Sequence, residues 1–67
     1  MAIARVTEIS ATSTESFEAA IKQGLERANQ TLRNVRSAWI KEQQVRVEGG
    51  AIAEYQVNML VTFILDE

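Results

Sequence analysis

Apolar residues recur with a helical period in the first half of the chain. They fall on one stripe of an α-helix, because their offsets from the first member are 3, 4, 7, 8, 11 and 15 residues. The set is Phe17, Ala20, Ile21, Gly24, Leu25, Ala28 and Leu32. Just before it, Thr12 and Glu15 have the spacing of a capping box, and Ser13 is a competing cap. The pattern predicts a helix from about residue 14 to residue 31.

This helical stripe has a narrow side, formed by Ala20, Gly24 and Ala28. Glycine is less favourable than alanine in a helix interior by about 1 kcal/mol, so a glycine at residue 24 needs a compensating contact. We interpret Gly24 as a point where another backbone approaches the helix closely. The alternative is a glycine that the helix merely tolerates.

The other apolar segments are rich in β-branched residues or alternate with polar ones, which is typical of strands. They are Ile3–Ile9, Val35–Ile40, Gln44–Val47 and Ile52–Leu65. The Gly49-Gly50 pair before the last segment indicates a hairpin turn. The order strand, helix, strand, strand predicts a small α+β fold, and residues 1–67 fit a single domain.

Alternation in the last strand separates two sides of the predicted sheet. With a two-residue Gly49-Gly50 loop, the numbers of cross-strand partners add to 99, so Trp39 lies opposite Leu60. The side that the helix is expected to cover carries Tyr55, Val57, Met59, Val61, Phe63, Leu65, Ala38, Ile40, Glu42 and Gln44. The other side, called the second face here, is expected to carry Val35, Ser37, Trp39, Lys41, Gln43, Val45, Val47, Ile52, Gln56, Asn58, Leu60 and Ile64.

The second face has no predicted helix left to cover it. It is too apolar for a solvent-exposed surface of a small monomer and too polar for a dry core. That mixture is typical of a subunit interface, or of a ligand site built at one. We therefore expect function, and association of the chain with itself, on this face.

Composition narrows the available chemistry. The chain of 67 residues has no cysteine and no histidine, which removes disulfides, thiolate nucleophiles and the commonest general base and metal ligand. A core this small needs additional stabilisation, and oligomerisation is the means that remains. With seven basic and nine acidic residues, the chain lacks the positive surface that nucleic-acid binding requires.

Membrane and secretion signals are also missing from the sequence. No apolar run approaches the roughly 20 residues that a membrane span needs. The opening Met1–Arg5 meets its first charge too early for a signal peptide. We expect a cytoplasmic protein with neither nucleic acid nor membrane as a partner.

Nothing in the sequence places a base beside a nucleophile, so we expect no catalytic residues and no enzyme activity. Under the pairing above, Glu42 and Glu54 lie on opposite sides of the sheet and do not form a carboxylate pair. The terminal Asp66-Glu67 is interpreted as a solubilising end. No calcium-binding loop occurs, and we expect no metal site.

Trp39 and Gln56 are the candidate binding residues of the second face. An indole offers a flat π surface on which a planar ligand can stack, and a primary amide offers a donor beside an acceptor for the edge of a heterocycle. The alternatives are a tryptophan that fills an interface or core and a half-exposed strand glutamine with ordinary contacts.

Several segments together resemble the dodecin family, and the resemblance covers essentially the whole chain. They are Val6–Ser13, Ser16–Ala20, Arg27–Val35, Tyr55–Val57 and Val61–Phe63. The resemblance implies a three-stranded antiparallel sheet wrapped around one helix, and twelve such chains in a hollow homododecamer. The narrow helix side and the uncovered second face both then favour obligate assembly.

The resemblance also implies a ligand: flavin, either riboflavin or FMN, stored or sequestered at subunit contacts. In the family, paired flavin rings stack between tryptophans of neighbouring chains while a glutamine binds the ring edge, and some members also hold coenzyme A. Gln56 matches that glutamine directly. The family's tryptophan aligns with Ser37, and Trp39 lies two residues later, on the same face but about 6.6 Å along the strand.

Flavin-binding residues are therefore expected at Trp39, Gln56 and Ser37. The alternative function is a dodecameric shell that binds no flavin and holds another small molecule, such as coenzyme A, or ions. The serine at residue 37 favours this alternative.

Overall fold

The computed structural model describes residues 3–65 and has four elements. They are β1 (Ala4–Ser13), α1 (Phe17–Thr31), β2 (Val35–Glu48) and β3 (Ala51–Ile64). The strands form one sheet in the order β1-β3-β2, and both pairings are antiparallel. The predicted α+β fold with a three-stranded antiparallel sheet is confirmed. The expectations for Met1 and for Asp66-Glu67 fall outside the described residues.

The first strand is longer, and the helix begins later, than the sequence pattern predicted. β1 continues to Ser13, which pairs with Tyr55 of β3, so Thr12 is a strand residue and the capping box that starts there is wrong. The N-cap is Ser16, whose Oγ accepts a hydrogen bond from the backbone N–H of Ala19 at 2.9 Å. Several residues before the helix are of types that can serve as an N-cap. Pairing of β1 with β3 extends the strand to Ser13, so the helix begins after it and Ser16 is the cap.

The core lies between α1 and the side of the sheet that the sequence assigned to it. Val57, Met59 and Val61 of β3 are fully buried there, and the helix buries Ala20, Gly24 and Ala28 against them. The narrow side of the helix therefore packs within its own chain and is not available to a second subunit. The expectation that this helix side takes part in assembly is wrong.

Gly24 does allow a close approach, but by side chains and not by a backbone. A Cβ atom built on Gly24 would lie 2.5 Å from Cε of Met59 and 3.1 Å from Cβ of Ala11. Since Met59 belongs to β3 and Ala11 to β1, the glycine lets the helix sit low over two strands. Gly24 is a point of close approach, as predicted. The prediction that a backbone approaches it was wrong, because the neighbouring atoms belong to side chains.

The hairpin between β2 and β3 has the predicted two-residue loop. Gly49 and Gly50 have φ angles of 58° and 80°, a conformation that residues with a Cβ atom adopt only with strain. Glu48 pairs with Ala51, and Trp39 pairs with Leu60, as predicted. The pairing of Ser37 with Thr62 and that of Val47 with Ile52 also agree with the sequence analysis.

Register shifts between β2 and β3 overturn part of the predicted division into faces. Shifts occur between Val35 and Ser37, between Ile40 and Glu42, and between Arg46 and Val47. An extra residue in one strand turns the side chains that follow it to the opposite face. The observed pairs that differ from the prediction are Val35 with Phe63, Glu42 with Asn58, Gln43 with Val57, Gln44 with Gln56, Val45 with Tyr55 and Arg46 with Glu54.

The corrected pairings exchange residues between the two faces. Glu42 and Gln44 lie on the second face, opposite Asn58 and Gln56, where the sequence placed them under the helix. Val35, Gln43 and Val45 lie on the helix side, opposite Phe63, Val57 and Tyr55, where the sequence placed them on the second face. Val47 and its partner Ile52 also lie on the helix side and not on the second face, because β2 has no extra residue between Val45 and Val47. The second face is therefore more polar in its middle than predicted.

The hairpin is much longer than the helix that covers it. Strands of 14 residues extend about 48 Å, whereas a helix of 15 residues extends about 22 Å, and the molecule measures 51 × 19 × 13 Å along its principal axes. The end of the hairpin lies beyond the helix, and its apolar Val47 and Ile52 are 58% and 52% exposed.

Candidate functional site

The second face has an apolar end, where Trp39 lies. Trp39 is 76% exposed and sits on β2 opposite Leu60. One pair further along, Ser37 lies opposite Thr62, and Val6 of β1 completes that row. The indole therefore presents most of its surface outside the protomer, as stacking on a planar ligand or on another chain requires.

The middle of the second face carries a hydrogen-bonded group of side chains that crosses all three strands. It is called the amide network here and consists of Ser10, Glu42, Gln44, Gln56 and Asn58. Nε2 of Gln44 donates to Oε1 of Gln56 at 3.2 Å, and Nε2 of Gln56 donates to Oγ of Ser10 at 2.8 Å. Nδ2 of Asn58 donates to Oε1 of Glu42 at 3.0 Å.

Gln56 is the centre of this network and uses both ends of its amide. Besides the bond to Ser10, its Nε2 donates weakly to Oδ1 of Asn58, at 3.5 Å. Its Oε1 accepts from Gln44 and keeps one lone pair. The side chain is therefore held in one orientation by neighbours on both adjacent strands before any ligand is considered.

Ion pairs flank the amide network on both sides. Toward Trp39, Nζ of Lys41 lies 3.3 Å from Oε2 of Glu8. Toward the hairpin end, Arg46 pairs with Glu54 at 3.5 Å and with Glu48. The hydrogen bond that Arg46 donates to Glu48, supported by the negative charge of Glu54, raises the pKa of the Arg46 guanidinium above its ordinary value. Each of these cations already has a carboxylate partner.

The predicted residues share the second face but are not adjacent within one chain. Leu60, opposite Trp39, is four residues from Gln56 along β3, a distance of about 13 Å. Ser37 lies further away still, opposite Thr62. A ligand that contacts both the indole and the amide must therefore span this distance or lie between two chains.

Sequence reasoning missed Gln44, Glu42 and Ser10 as hydrogen-bond partners of Gln56 and Asn58 on the second face. The register shift beyond Ile40 moved Gln44 and Glu42 to the second face, and Ser10 was left outside the predicted first strand. The run Glu42-Gln43-Gln44 was an available signal, because three polar residues in mid-strand place at least one of them on each face.

Glu42 and Glu54 share the second face after all, which corrects the prediction that they face opposite ways. They do not form a carboxylate pair, because the row of Gln44 and Gln56 separates them and each has its own partner. Oε1 of Glu42 accepts from Asn58, and Oε1 of Glu54 accepts from Arg46. Within residues 3–65, no group of three or more acidic side chains is arranged to hold a metal ion.

A groove lies away from this face, between α1 and β1. This groove has a volume of about 500 Å³, and Gly24, Ala28, Arg27 and Ile9 are among the residues that line it. None of the residues predicted to bind flavin lines it. In the described part of the chain, no helix combines the length and apolar character that crossing a membrane demands.

The fold defines a class: a small α+β protein in which one helix covers one side of a three-stranded antiparallel sheet and the second face stays uncovered within the protomer. The family model described as Dodecin matches residues 3–66. The dodecin of Thermus thermophilus is 40% identical over 60 residues, which cover 90% of this chain and 87% of that protein. The chain belongs to the dodecin family, as the sequence predicted.

Solved structures agree with this assignment. A dodecin from Streptomyces davaonensis superimposes with a TM-score of 0.94 at 42% identity, covering 98% of this chain and 97% of that one. A calcium-chelating antigen of Mycobacterium tuberculosis, calcium dodecin, gives a TM-score of 0.83 at 29% identity, covering 96% and 91%. Its structure is described as having a novel calcium-binding site. Dodecins are small oligomeric proteins that bind small ligands and are not known as enzymes.

Proposed function

We propose that this protein stores or sequesters flavin as a cytoplasmic homododecamer. The observation that carries the proposal is an indole that is 76% exposed on the same uncovered sheet face as Gln56. The indole supplies a stacking surface, and the amide supplies hydrogen bonds to the polar edge of the ring.

Assembly follows from the apolar surface that one chain leaves in water. Trp39, Val6, Val47 and Ile52 are all more than half exposed on a protomer of 7.5 kDa. Such a surface on a small monomer favours association, and the family relationship supports an assembly of twelve chains with flavin, riboflavin or FMN, at the contacts.

The separation of Trp39 from Gln56 supports a site that two chains share. The row of Trp39 and the row of Gln56 are about 13 Å apart along the strand. When the second faces of two protomers meet, the indole of one chain can stack on a flavin ring while Gln56 of the other chain bonds the edge of that ring. Ser37 lies beyond Trp39 and has a short side chain. In this proposal it leaves space beside the ring where other dodecins place their tryptophan.

Titration of the purified assembly with riboflavin and FMN tests the proposal. Its mass is first measured by light scattering after size exclusion, and quenching of flavin fluorescence then reports stacking. Trp39→Phe keeps an aromatic ring, whereas Trp39→Leu keeps a similar apolar volume without one. We expect quenching in the native protein, weaker quenching with phenylalanine and little with leucine.

Two results contradict this proposal. A stable monomer near 7.5 kDa contradicts the assembly. A native dodecamer that leaves flavin fluorescence unchanged at tens of micromolar ligand contradicts flavin binding, and Trp39 is then a packing residue between subunits.

A second candidate function is a dodecameric shell that binds no flavin and holds another small molecule, such as coenzyme A, or ions. It is favoured by the partners that Gln56 already has at both ends of its amide. The calcium dodecin of Mycobacterium tuberculosis supports the ion version of this candidate. Calorimetric titration of the assembly with Ca²⁺ and with coenzyme A distinguishes it from flavin storage.

A further inference from the structure

Gln44 and Gln56 form a pair of amides side by side on the second face. We propose that they recognise together the edge of a heterocycle on which a ring N–H lies next to a carbonyl group, as in a cyclic imide. In this arrangement Gln56 accepts from the ring N–H and Gln44 donates to the ring carbonyl. The inference rests on the proposed function in so far as the ligand is a flavin.

The hydrogen bonds of Gln56 determine what it can offer to a ligand. Both hydrogens of its Nε2 are directed at neighbours, Ser10 at 2.8 Å and Asn58 at 3.5 Å. Its Oε1 has two lone pairs, of which the bond from Gln44 uses one. A single amide could read both a donor and an acceptor, but this one retains only an acceptor.

Gln44 supplies the donor that Gln56 lacks. Its Nε2 has two hydrogens, and one of them is bonded to Gln56 at 3.2 Å. Among residues 3–65 Gln44 has no other hydrogen-bond partner, and its side chain is exposed on the edge strand β2. An N–H of Gln44 and a lone pair of Gln56 are therefore both available, about 3 Å apart, as a donor beside an acceptor.

Ser10 acts as a positioning residue in this arrangement. An amide can rotate to exchange its oxygen and nitrogen, and the bond to Oγ of Ser10 fixes the nitrogen of Gln56 toward β1. The oxygen is thereby turned toward Gln44 on β2. The register shift beyond Ile40 is equally necessary, because without it Gln44 would lie under the helix.

Calorimetric titration of the assembled protein with lumiflavin and with 3-methyllumiflavin tests the inference. Methylation removes the ring N–H and prevents the edge from approaching the amide pair. Losing one hydrogen bond in such a site weakens binding by about tenfold. We expect native protein to prefer lumiflavin by about that factor.

Variants of Gln44 assign the preference to this residue. Gln44→Leu removes the donor, and Gln44→Glu replaces it with an acceptor of similar size. Both are expected to weaken lumiflavin binding by about tenfold. They should also reduce the effect of methylation, because the bonds of the ring edge to Gln44 and to Gln56 form only when that edge lies against both amides. Gln43→Leu is the matched control, since Gln43 is the adjacent glutamine on the opposite face, and it should bind like native protein.

Failure of this inference and failure of the proposed function give different results. If native protein binds lumiflavin and both Gln44 variants bind it equally well, the amide pair is refuted while flavin binding stands. Lumazine, a pteridinedione with the same N–H and carbonyl edge, serves as a second probe with its 3-methyl derivative. Binding of lumazine but not of flavin, with loss in Gln44→Leu, supports the amide pair and refutes flavin storage. Binding of neither heterocycle overturns the amide pair, and the titration with riboflavin and FMN then decides flavin storage separately.

Discussion

Replacing Gly24 with alanine places one methyl group in the contact between α1 and the sheet. The added Cβ would lie 2.5 Å from Cε of Met59 and 3.1 Å from Cβ of Ala11, and both distances are shorter than ordinary van der Waals contacts. Cε is the free end of a flexible side chain and can rotate away. The Cβ of Ala11 is attached directly to the backbone of β1 and cannot.

Two opposing effects determine the free energy of unfolding of this variant. Alanine improves helix propensity by about 1 kcal/mol, whereas overpacking a filled core destabilises by about 1–3 kcal/mol. The difference is a net destabilisation between zero and about 2 kcal/mol. Gly24→Leu gains no more propensity than alanine and adds three further carbons, so we expect the stability order native, alanine, leucine.

Denaturant unfolding at a fixed protomer concentration measures these changes, because association contributes to the stability of an oligomer. Glu26→Ala and Glu26→Gly are the matched controls: Glu26 is exposed on the same helix, so their difference gives the propensity effect without packing. Met59→Val removes Cε and completes a double-mutant cycle with Gly24→Ala. We expect a favourable coupling energy of about 0.5–3 kcal/mol.

This reasoning about Gly24 is refuted by either of two results. One is that Gly24→Ala raises the free energy of unfolding by as much as Glu26→Ala exceeds Glu26→Gly. That outcome would mean that a Cβ atom at residue 24 meets no other atom. The other is additivity in the cycle with Met59→Val, to within about 0.5 kcal/mol. Either would mean that the helix can lift away from the sheet without loss.

Two further experiments test the helix start and the placement of the tryptophan. Ser16→Ala removes the N-cap bond to Ala19 and should lower the free energy of unfolding by about 1 kcal/mol, measured by denaturant unfolding. Thr12→Ala should change this free energy little. A larger effect at Thr12 than at Ser16 would restore the predicted capping box. The second experiment applies if the native dodecamer binds no flavin. The double variant Ser37→Trp, Trp39→Ala should then gain an affinity for flavin that fluorescence quenching can measure. A double variant that does not quench flavin fluorescence would reject the proposed position of the site.

The helix and the hairpin could be predicted because their signals are local. The apolar stripe from Phe17 onward needs only a period of 3.6 residues, and Gly49-Gly50 supplies the positive φ angles that a two-residue turn requires. Trp39 could be placed opposite Leu60 because that row lies where the pairing sum of 99 holds.

The amide network could not be predicted because its residues are brought together by tertiary pairing. The register shift beyond Ile40 leaves no mark in the alternation of β2, yet it decides the face on which Gln44 lies. Ser10 belongs to a polar end of β1 that is a strand only because β3 pairs with it. Strand propensity is weak there, and the neighbouring strand prevails.

The dimensions of the fold explain why we propose binding and assembly on the same surface. A helix of about 22 Å covers less than half of a hairpin of about 48 Å, and only on one side. The chain therefore leaves both the second face and the hairpin end uncovered, and in the proposed assembly other copies cover them. A dry interface is excluded in the middle of that face, since its amides and carboxylates would lose solvent without gaining partners. In the proposed assembly, subunit contacts around Gln44 and Gln56 enclose polar groups that satisfy these amides. A heterocycle with a hydrogen-bonding edge would meet this requirement while its flat surface meets Trp39.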